Sequence, residues 1–367
     1  MKILVYGALP SQANLGVEAL AHGAEAVLLR AFPHADVRFR STGPAGDGPI
    51  SLSHTSPLLK EMVVNRRGLR DWTRSFDLIC DIRGGDSFTD IYSMKGLFKM
   101  TTFPLYARAL SVPLVMLPQT IGPFERQPSQ LLARRQLRAC LAVMARDPVS
   151  ATAAANLGRP VDATATDVVF GIPRPRNVEP GEQDVVLNVS GLLWSSNRHV
   201  DADIYRTATR ALIDALLNQG RRVCLLAHVV GPDETGPDND RTALAELRGE
   251  YQDRLQYVVP KDLWEVRRVI ASARVVIGAR MHACLNALSV GVPAVPLAYS
   301  RKFAPLLDSL GWQHTVALDG SAEDTVAAVL RKVDILTPGD VTPVLEEANR
   351  RIDTVVDVLR ELPLDRP

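Results

Sequence analysis

No apolar run in this 367-residue chain approaches the ~20 residues that a membrane-spanning helix needs. Cysteine is sparse. Cys80, Cys140, Cys224 and Cys284 stand far apart, with no Cys-x-x-Cys pair and no dense framework. Each lies in an apolar run, so four reduced core thiols are expected rather than a disulfide scaffold. An excess of one charge is missing too. With 42 basic against 41 acidic residues the formal net charge is +1, so no global field recruits nucleic acid or an anionic membrane. Any anion site must be local. The chain opens on the strand-like Lys2-Ile3-Leu4-Val5-Tyr6 without a charged-then-apolar leader, and a cytoplasmic location is expected.

Several catalytic signatures are absent as well. The first strand-to-helix turn has glycines at 7 and 16 but no GxGxxG, which gives a dinucleotide cofactor no support. There is no GxxxxGK[ST] phosphate loop, no HExxH and no GxSxG elbow. Asp201 and Asp203 match the DxD with which some sugar transferases hold a metal. They precede a helical run, where carboxylates favour the helix N-terminus, so capping is the expectation and no metal site is predicted.

What is present is an alternation. Short apolar strands at 2–6, 37–40, 77–82, 113–117 and 141–145 are separated by helical patterns such as 16–31 and 96–110. A proline- and glycine-rich stretch at 171–183 reads as a linker. The rhythm then restarts with strands at 184–190, 222–228, 274–278 and 294–298 and helices at 202–219, 262–272 and 281–290. This is the pattern of parallel sheets wrapped by helices. The fold expected is α/β, with two doubly wound, Rossmann-like domains facing across a cleft. The domains are placed at 1–175 (acceptor side) and 184–340 (donor side). A last helix, 341–367, is free to pack on either.

Candidate chemistry gathers at strand ends, where open α/β sheets bind ligands. Strand 274–278 runs through Gly278 into Arg280 and His282, which open a helix. Arg280 there offers a planar fork for carboxylate or phosphate, and His282 can deliver a proton near neutral pH. The plainer alternative is a surface ion pair for Arg280 and a cap for His282. Lys302 follows the next strand and can meet the same anion or simply be solvated. After strand 77–82, Gly84 and Gly85 allow close backbone approach or positive φ and hold Asp86 and Ser87 at the sheet edge. Asp86 can accept a proton from an attacking hydroxyl, or it and Ser87 can merely satisfy a turn. Gln119 and Thr120 suit hydroxyl recognition. Arg146 is a second strand-end arginine, the plainer alternative being an ordinary surface ion pair with Asp147. His228 and Asp233, after strand 222–228, either line the cleft or serve the loop.

The segments NLGVEA (14–19), GGDSFTDIY (84–92), PQTIGPF (118–124), ARDPVS (145–150), Asn188 and Ser190 in NVSG, and the RMH…GVP…YSRK block resemble the polysaccharide pyruvyltransferase family, in order, over roughly residues 1 to 310. The resemblance implies a GT-B-like fold and transfer of a pyruvyl group from phosphoenolpyruvate onto sugar hydroxyls, typically as a ketal. It assigns His282 as general acid, Arg280 and Arg146 to the donor, and Asp86 to the acceptor; Lys302 joins the donor set by its place at the same sheet edge. Asn14, Glu18, Ser87, Gln119, Asn188, Ser190 and His228 are placed at the acceptor or the cleft. Where the family often reads Gly-Asp-Glu, this chain reads Gly16-Val17-Glu18. That lost carboxylate bears on the acceptor more than on the donor.

Two arginines and a lysine suit the carboxylate and phosphate of phosphoenolpyruvate. The chemistry requires neither metal nor cofactor. The expected partners are phosphoenolpyruvate and a sugar or glycan-precursor acceptor, with a homo-oligomer left open. Domain closure about 171–183 is expected to accompany catalysis. The alternatives are a GT-B glycosyltransferase using a nucleotide sugar and a non-catalytic binding subunit of polysaccharide assembly.

Overall fold

The protein is seen in a computed structural model that describes residues 1–43, 46–231, 236, 238–300 and 303–364. It divides into two compact units. The first holds Met1–Pro10, Leu20–Ile172 and Ala348–Pro367, and the second holds Ser11–Ala19 and Pro173–Glu347.

The first unit carries a parallel sheet of β1 (Lys2–Tyr6), β2 (Asp36–Arg40), β3 (Leu78–Asp81), β4 (Leu114–Gln119), β5 (Ala142–Ala145) and β6 (Ala163–Thr164), in the order β2-β1-β3-β4-β5-β6. Strands β3, β4 and β5 are buried at every position. That explains why they read as unbroken apolar runs, since helices cover both faces of such a sheet. The second unit repeats the plan with β7 (Gln183–Asn188), β8 (Val223–Leu226), β9 (Gln256–Val258), β10 (Ala273–Gly278), β11 (Ala294–Ala298) and β12 (Val316–Ala317), in the order β12-β11-β10-β7-β8-β9. Two doubly wound α/β units are thus present, as the alternation predicts. The strand order reverses between β1 and β3 and again between β7 and β10. Such switch points open a crevice at the carboxyl ends of the strands.

Local chemistry places the helices. Asp201 caps the helix Ala202–Asn218, its carboxylate accepting from the backbone N–H groups of Asp203 at 2.8 Å and Ile204 at 3.2 Å. The DxD-like pair is therefore a cap, as expected. The helix Met281–Val290 falls on its predicted residues and stops at Gly291, whose φ of 89° is the left-handed C-terminal conformation glycine adopts freely. Strands β6, β9 and β12 were not predicted; they are two or three residues long and carry too little pattern to read. The closing helix Thr342–Arg360 contributes to the first unit, where Arg351 Nη1 donates to the Ala165 carbonyl at 3.3 Å. All four cysteines are free and buried, and burial pushes each thiol pKa up.

A buried ion pair fixes the exit of β3. Arg83 Nε lies 3.0 Å from both Asp81 oxygens, and Nη2 completes the fork. Both side chains are fully buried. Arg83 Nη1 reaches Thr101 Oγ1 at 3.1 Å, and its guanidinium stacks over Phe88 at 4.6 Å. Gly7 makes room for this loop. Its φ is 103°, and a Cβ there would stand 2.2 Å from Arg83 Cα. Gly7→Ala is expected to cost more than about 2 kcal/mol, because both backbone strain and overlap with main chain must be relieved. Urea unfolding should show the midpoint shift, and an unchanged midpoint would contradict this account of the turn.

Candidate active site

In the second unit the site is built around one carboxylate that sequence reasoning missed. Asp240 is wholly buried at the start of the helix Asp240–Tyr251. Its Oδ2 accepts from the backbone N–H of His228 at 2.8 Å and of Val229 at 3.0 Å, beyond β8. Its Oδ1 accepts from Gly191 N–H at 2.8 Å, beyond β7, and from Arg280 Nη2 at 2.7 Å, beyond β10. Three loops at the switch point are thereby tied to a single side chain. Asn188, at the end of β7, adds a second tie by accepting Arg280 N–H at 2.9 Å and donating to the Leu226 carbonyl at 2.9 Å.

Arg280 is the N-cap of the helix Met281–Val290 and is nearly buried. Besides Asp240, it binds the Asp238 carboxylate through Nη1 at 2.8 Å and the Asp238 carbonyl through Nη2 at 2.6 Å. Burial opposes its charge, but the Asp240 and Asp238 carboxylates outweigh that and raise its pKa. Every guanidinium nitrogen of Arg280 thus has a partner inside the unit, and the fork serves the scaffold.

One residue further along that helix from Met281, His282 is held by neighbours from two directions. Asn286 Nδ2, one turn on, donates to the His282 carbonyl at 2.8 Å. The segment 11–19 crosses the ring, and a Cβ on Gly16 would stand 2.9 Å from His282 Nδ1. Only glycine permits that approach. Asn14 and Glu18 fix the segment. Asn14 Oδ1 accepts Gly16 N–H at 3.0 Å, and its backbone bridges Val229. The buried Glu18 accepts Leu263 N–H at 3.0 Å and Gln12 N–H at 3.3 Å, so it caps a neighbouring helix. Asn286 in turn is aligned by Arg267 Nη1, 2.7 Å from its Oδ1. Burial and the nearby Arg174 charge lower the Arg267 pKa to about 10.

His228 lies in the same shell, its Nε2 3.5 Å from Asn286 Nδ2. An amide nitrogen only donates, so Nε2 accepts and the ring proton sits on Nδ1. Burial, with the His282 and Arg280 charges, lowers the His228 pKa to about 3, so the ring is neutral near pH 7. The Ser190 hydroxyl is buried without a hydrogen-bond partner among the described residues, while Ser190 N–H donates to Tyr205 Oη at 3.0 Å.

The first unit assembles the other residues. Gly84 and Gly85 have φ of 66° and 78°, the positive values that the glycine pair suggested. A Cβ on Gly85 would stand 3.2 Å from Arg146 Nη1, so the Asp86 loop lies against that arginine. Thr120 N–H donates to the Gly85 carbonyl at 2.8 Å, joining the loops after β3 and β4. Gln119 Nε2 donates to the Asp81 carbonyl at 2.9 Å, which makes this glutamine a strut. Asp86 accepts from Tyr92 Oη at 3.2 Å, and Ser87 stands beside it, half-buried. Arg146 is 1% exposed and pairs with the equally buried Asp167 through Nη1 at 3.0 Å. Its Nε and Nη2 are buried with no acceptor among the described residues, and the buried hydroxyls of Thr120 and Thr166 have no hydrogen-bond partner among them either.

Asp86, Ser87, Gln119 and Arg146 therefore share one sheet edge in the first unit. Asn14, Glu18, Asn188, Ser190, His228, Arg280 and His282 share one in the second. Lys302 and Asp233 lie outside the described residues. Asp238, Asp240, Arg267, Asn286 and Tyr92 were not singled out from the sequence. Only Asp240 had a local signal, an acidic residue in the first turn of a helical run.

Residues 14–301 match the profile of a family described as Polysaccharide pyruvyl transferase. The Erwinia amylovora amylovoran biosynthesis protein AmsJ is 23% identical over 316 residues, which span 80% of this chain and 74% of that protein. Among solved structures, UDP-GlcNAc 2-epimerase from Neisseria meningitidis, bound to UDP-GlcNAc, superposes with a TM-score of 0.60 at 11% identity, covering 98% of this chain and 99% of that one. S. aureus MnaA with UDP gives 0.60 at 10% identity, covering 97% and 94%. At such identities these structures establish the GT-B-like fold alone.

Two outcomes follow from the Asp240 cluster. Arg280→Ala is expected to destabilise the protein by ~3–5 kcal/mol, because it strands a buried carboxylate; a thermal midpoint equal to wild type would refute that. The lowered His228 pKa sets the sign of an acid effect. Between pH 6.5 and 3 the unfolded state binds a proton that the folded state refuses, so stability falls as pH falls through this window. His228→Gln should remove up to ~1.4 kcal/mol per pH unit of that slope in denaturant titrations. An unaltered slope would show that His228 is not held neutral.

Proposed function

The chain belongs to the polysaccharide pyruvyl transferase family, and from that premise we propose that it moves the pyruvyl group of phosphoenolpyruvate onto hydroxyls of a sugar or glycan-precursor acceptor, giving a ketal. The observation that carries this reading is Arg146, a buried guanidinium with two nitrogens that find no acceptor among the described residues. Leaving buried donors unmade costs roughly 1–3 kcal/mol each. An anionic substrate removes that cost and gains a charge-assisted pair, which a neutral sugar hydroxyl does far less well.

In this reading His282 protonates the methylene carbon of phosphoenolpyruvate, and positive charge develops at C2. An acceptor hydroxyl forms the new C–O bond at C2 and gives its proton to Asp86. The bond from C2 to the phosphate oxygen then breaks, and phosphate leaves with the pair of electrons. A second hydroxyl closes the ketal at C2; its proton and the one on Asp86 return His282 to its starting state and complete the phosphate. His228, held neutral, adds no second positive charge beside His282.

The test is phosphate release from phosphoenolpyruvate in the presence of sugar and lipid-linked or nucleotide-linked acceptors, with mass spectrometry of the acceptor. The gain expected is the mass of phosphoenolpyruvate less phosphoric acid. Transfer of a sugar from a nucleotide donor instead would overturn the proposal. Arg146→Lys keeps the charge but loses the fork, and should weaken phosphoenolpyruvate binding about 10- to 100-fold. His282→Gln should cut kcat on the order of 10²–10⁴ with donor affinity near wild type. A His282→Gln enzyme of normal kcat would remove it as the acid.

A further inference from the structure

Within the first unit the helices Thr55–Val64 and Met94–Ala109 pack together, burying Leu58 and Leu97 in the core. Their outer sides are unlike an ordinary solvated surface. Leu59, Val63 and Val64 stand exposed on the first helix and Phe98 on the second, with Val63 78% exposed. Ile91 and Tyr92, in the turn leading to the second helix, are exposed as well. Large apolar side chains gathered this way mark an interaction surface rather than chance exposure.

The charge around them is predominantly positive. Segments 54–71 and 91–99 hold six basic residues, Lys60, Arg66, Arg67, Arg70, Lys95 and Lys99, against two acids, Glu61 and the exposed Asp71. Glu61 is buried and turned inward to the Arg67 backbone N–H at 2.5 Å. In a chain of net charge +1 this is a local concentration of positive charge. Outward valine, leucine and phenylalanine set among lysines and arginines form the combination that inserts shallowly into a bilayer while the cations meet anionic headgroups. A second copy of the same face would set cations against cations. Among the described residues no helix is long and apolar enough to cross a membrane, so attachment of this kind would be peripheral.

We propose that this face docks the protein on an anionic lipid surface. Tyr92 belongs to the face and its Oη donates to Asp86 at 3.2 Å, so the docked surface adjoins the residue assigned above to the acceptor hydroxyl. The class of acceptor this favours is a sugar carried on a membrane lipid. That last step rests on the pyruvyl-transfer reading, whereas docking itself does not.

Vesicle flotation of the full chain, without substrate, tests docking independently of turnover. Wild type is expected to float with phosphatidylglycerol/phosphatidylcholine vesicles, to stay behind with phosphatidylcholine alone, and to be released by high salt. Two double variants, Val63→Glu with Phe98→Glu and Lys60→Glu with Lys95→Glu, should each lower partitioning about tenfold or more. All four side chains are exposed or at the surface, and circular dichroism with thermal melting checks that each variant is folded. Wild type that remains with the unbound fraction would overturn the proposal. So would variants that float like wild type, or a dimer in light scattering that the Val63/Phe98 variant dissociates, which would assign the face to a second copy of the chain.

Discussion

The Asp240 carboxylate is the constraint on which the second unit's site depends. It is fully buried and accepts hydrogen bonds from three loops that leave three different strands. A buried charge is costly unless paired and fully hydrogen-bonded, and here both conditions hold. The consequence is positional. Arg280 is drawn to Asp240, and Arg280 caps the helix that carries His282. Gly16 then lies against the His282 ring and Asn286 holds the His282 carbonyl, so this side chain is placed by contacts that reach back to a single anion.

Two arginines with the same sequence context thus do opposite work. Arg280 and Arg146 both stand just beyond a sheet strand and in front of a helix. Arg280 spends its whole fork on Asp238 and Asp240. Arg146 uses only Nη1, on Asp167, and keeps Nε and Nη2 buried and unmatched among the described residues. The difference lies in how many carboxylates the fold delivers. Two meet Arg280, and one meets Arg146 at the far edge of its guanidinium. Of the two, Arg146 is therefore the guanidinium with donors left to offer an anion.

The fold was legible because both sheets are buried on both faces, and unbroken runs such as LVMLPQ announce that directly. The edge strands β6 and β12 escaped because two residues carry no period. Placement was legible as far as strand ends reveal it: Asp86, Arg146, Arg280 and His282 do stand beyond strands, as their sequence context indicated. Asn14 and Glu18 also stood out, as acceptor or cleft contacts, yet their side chains accept backbone N–H groups of the second unit. Asparagine before a helix is a capping signal, but a glutamate that caps a helix more than two hundred residues away is a tertiary fact with no local trace. Asp240 was hidden for a related reason. It follows a proline- and glycine-rich stretch that reads as a plain loop, and nothing in its neighbours shows that its charge points inward.

The claim that one carboxylate organises the second unit's loops is tested most directly by amide hydrogen exchange in Asp240→Asn, a change that keeps size and removes charge. The account predicts faster exchange together at Gly191, His228, Val229 and the Arg280 turn, with β10 and β11 protected as in wild type. Faster exchange confined to the helix Asp240–Tyr251, with the other three loops unchanged, would contradict it.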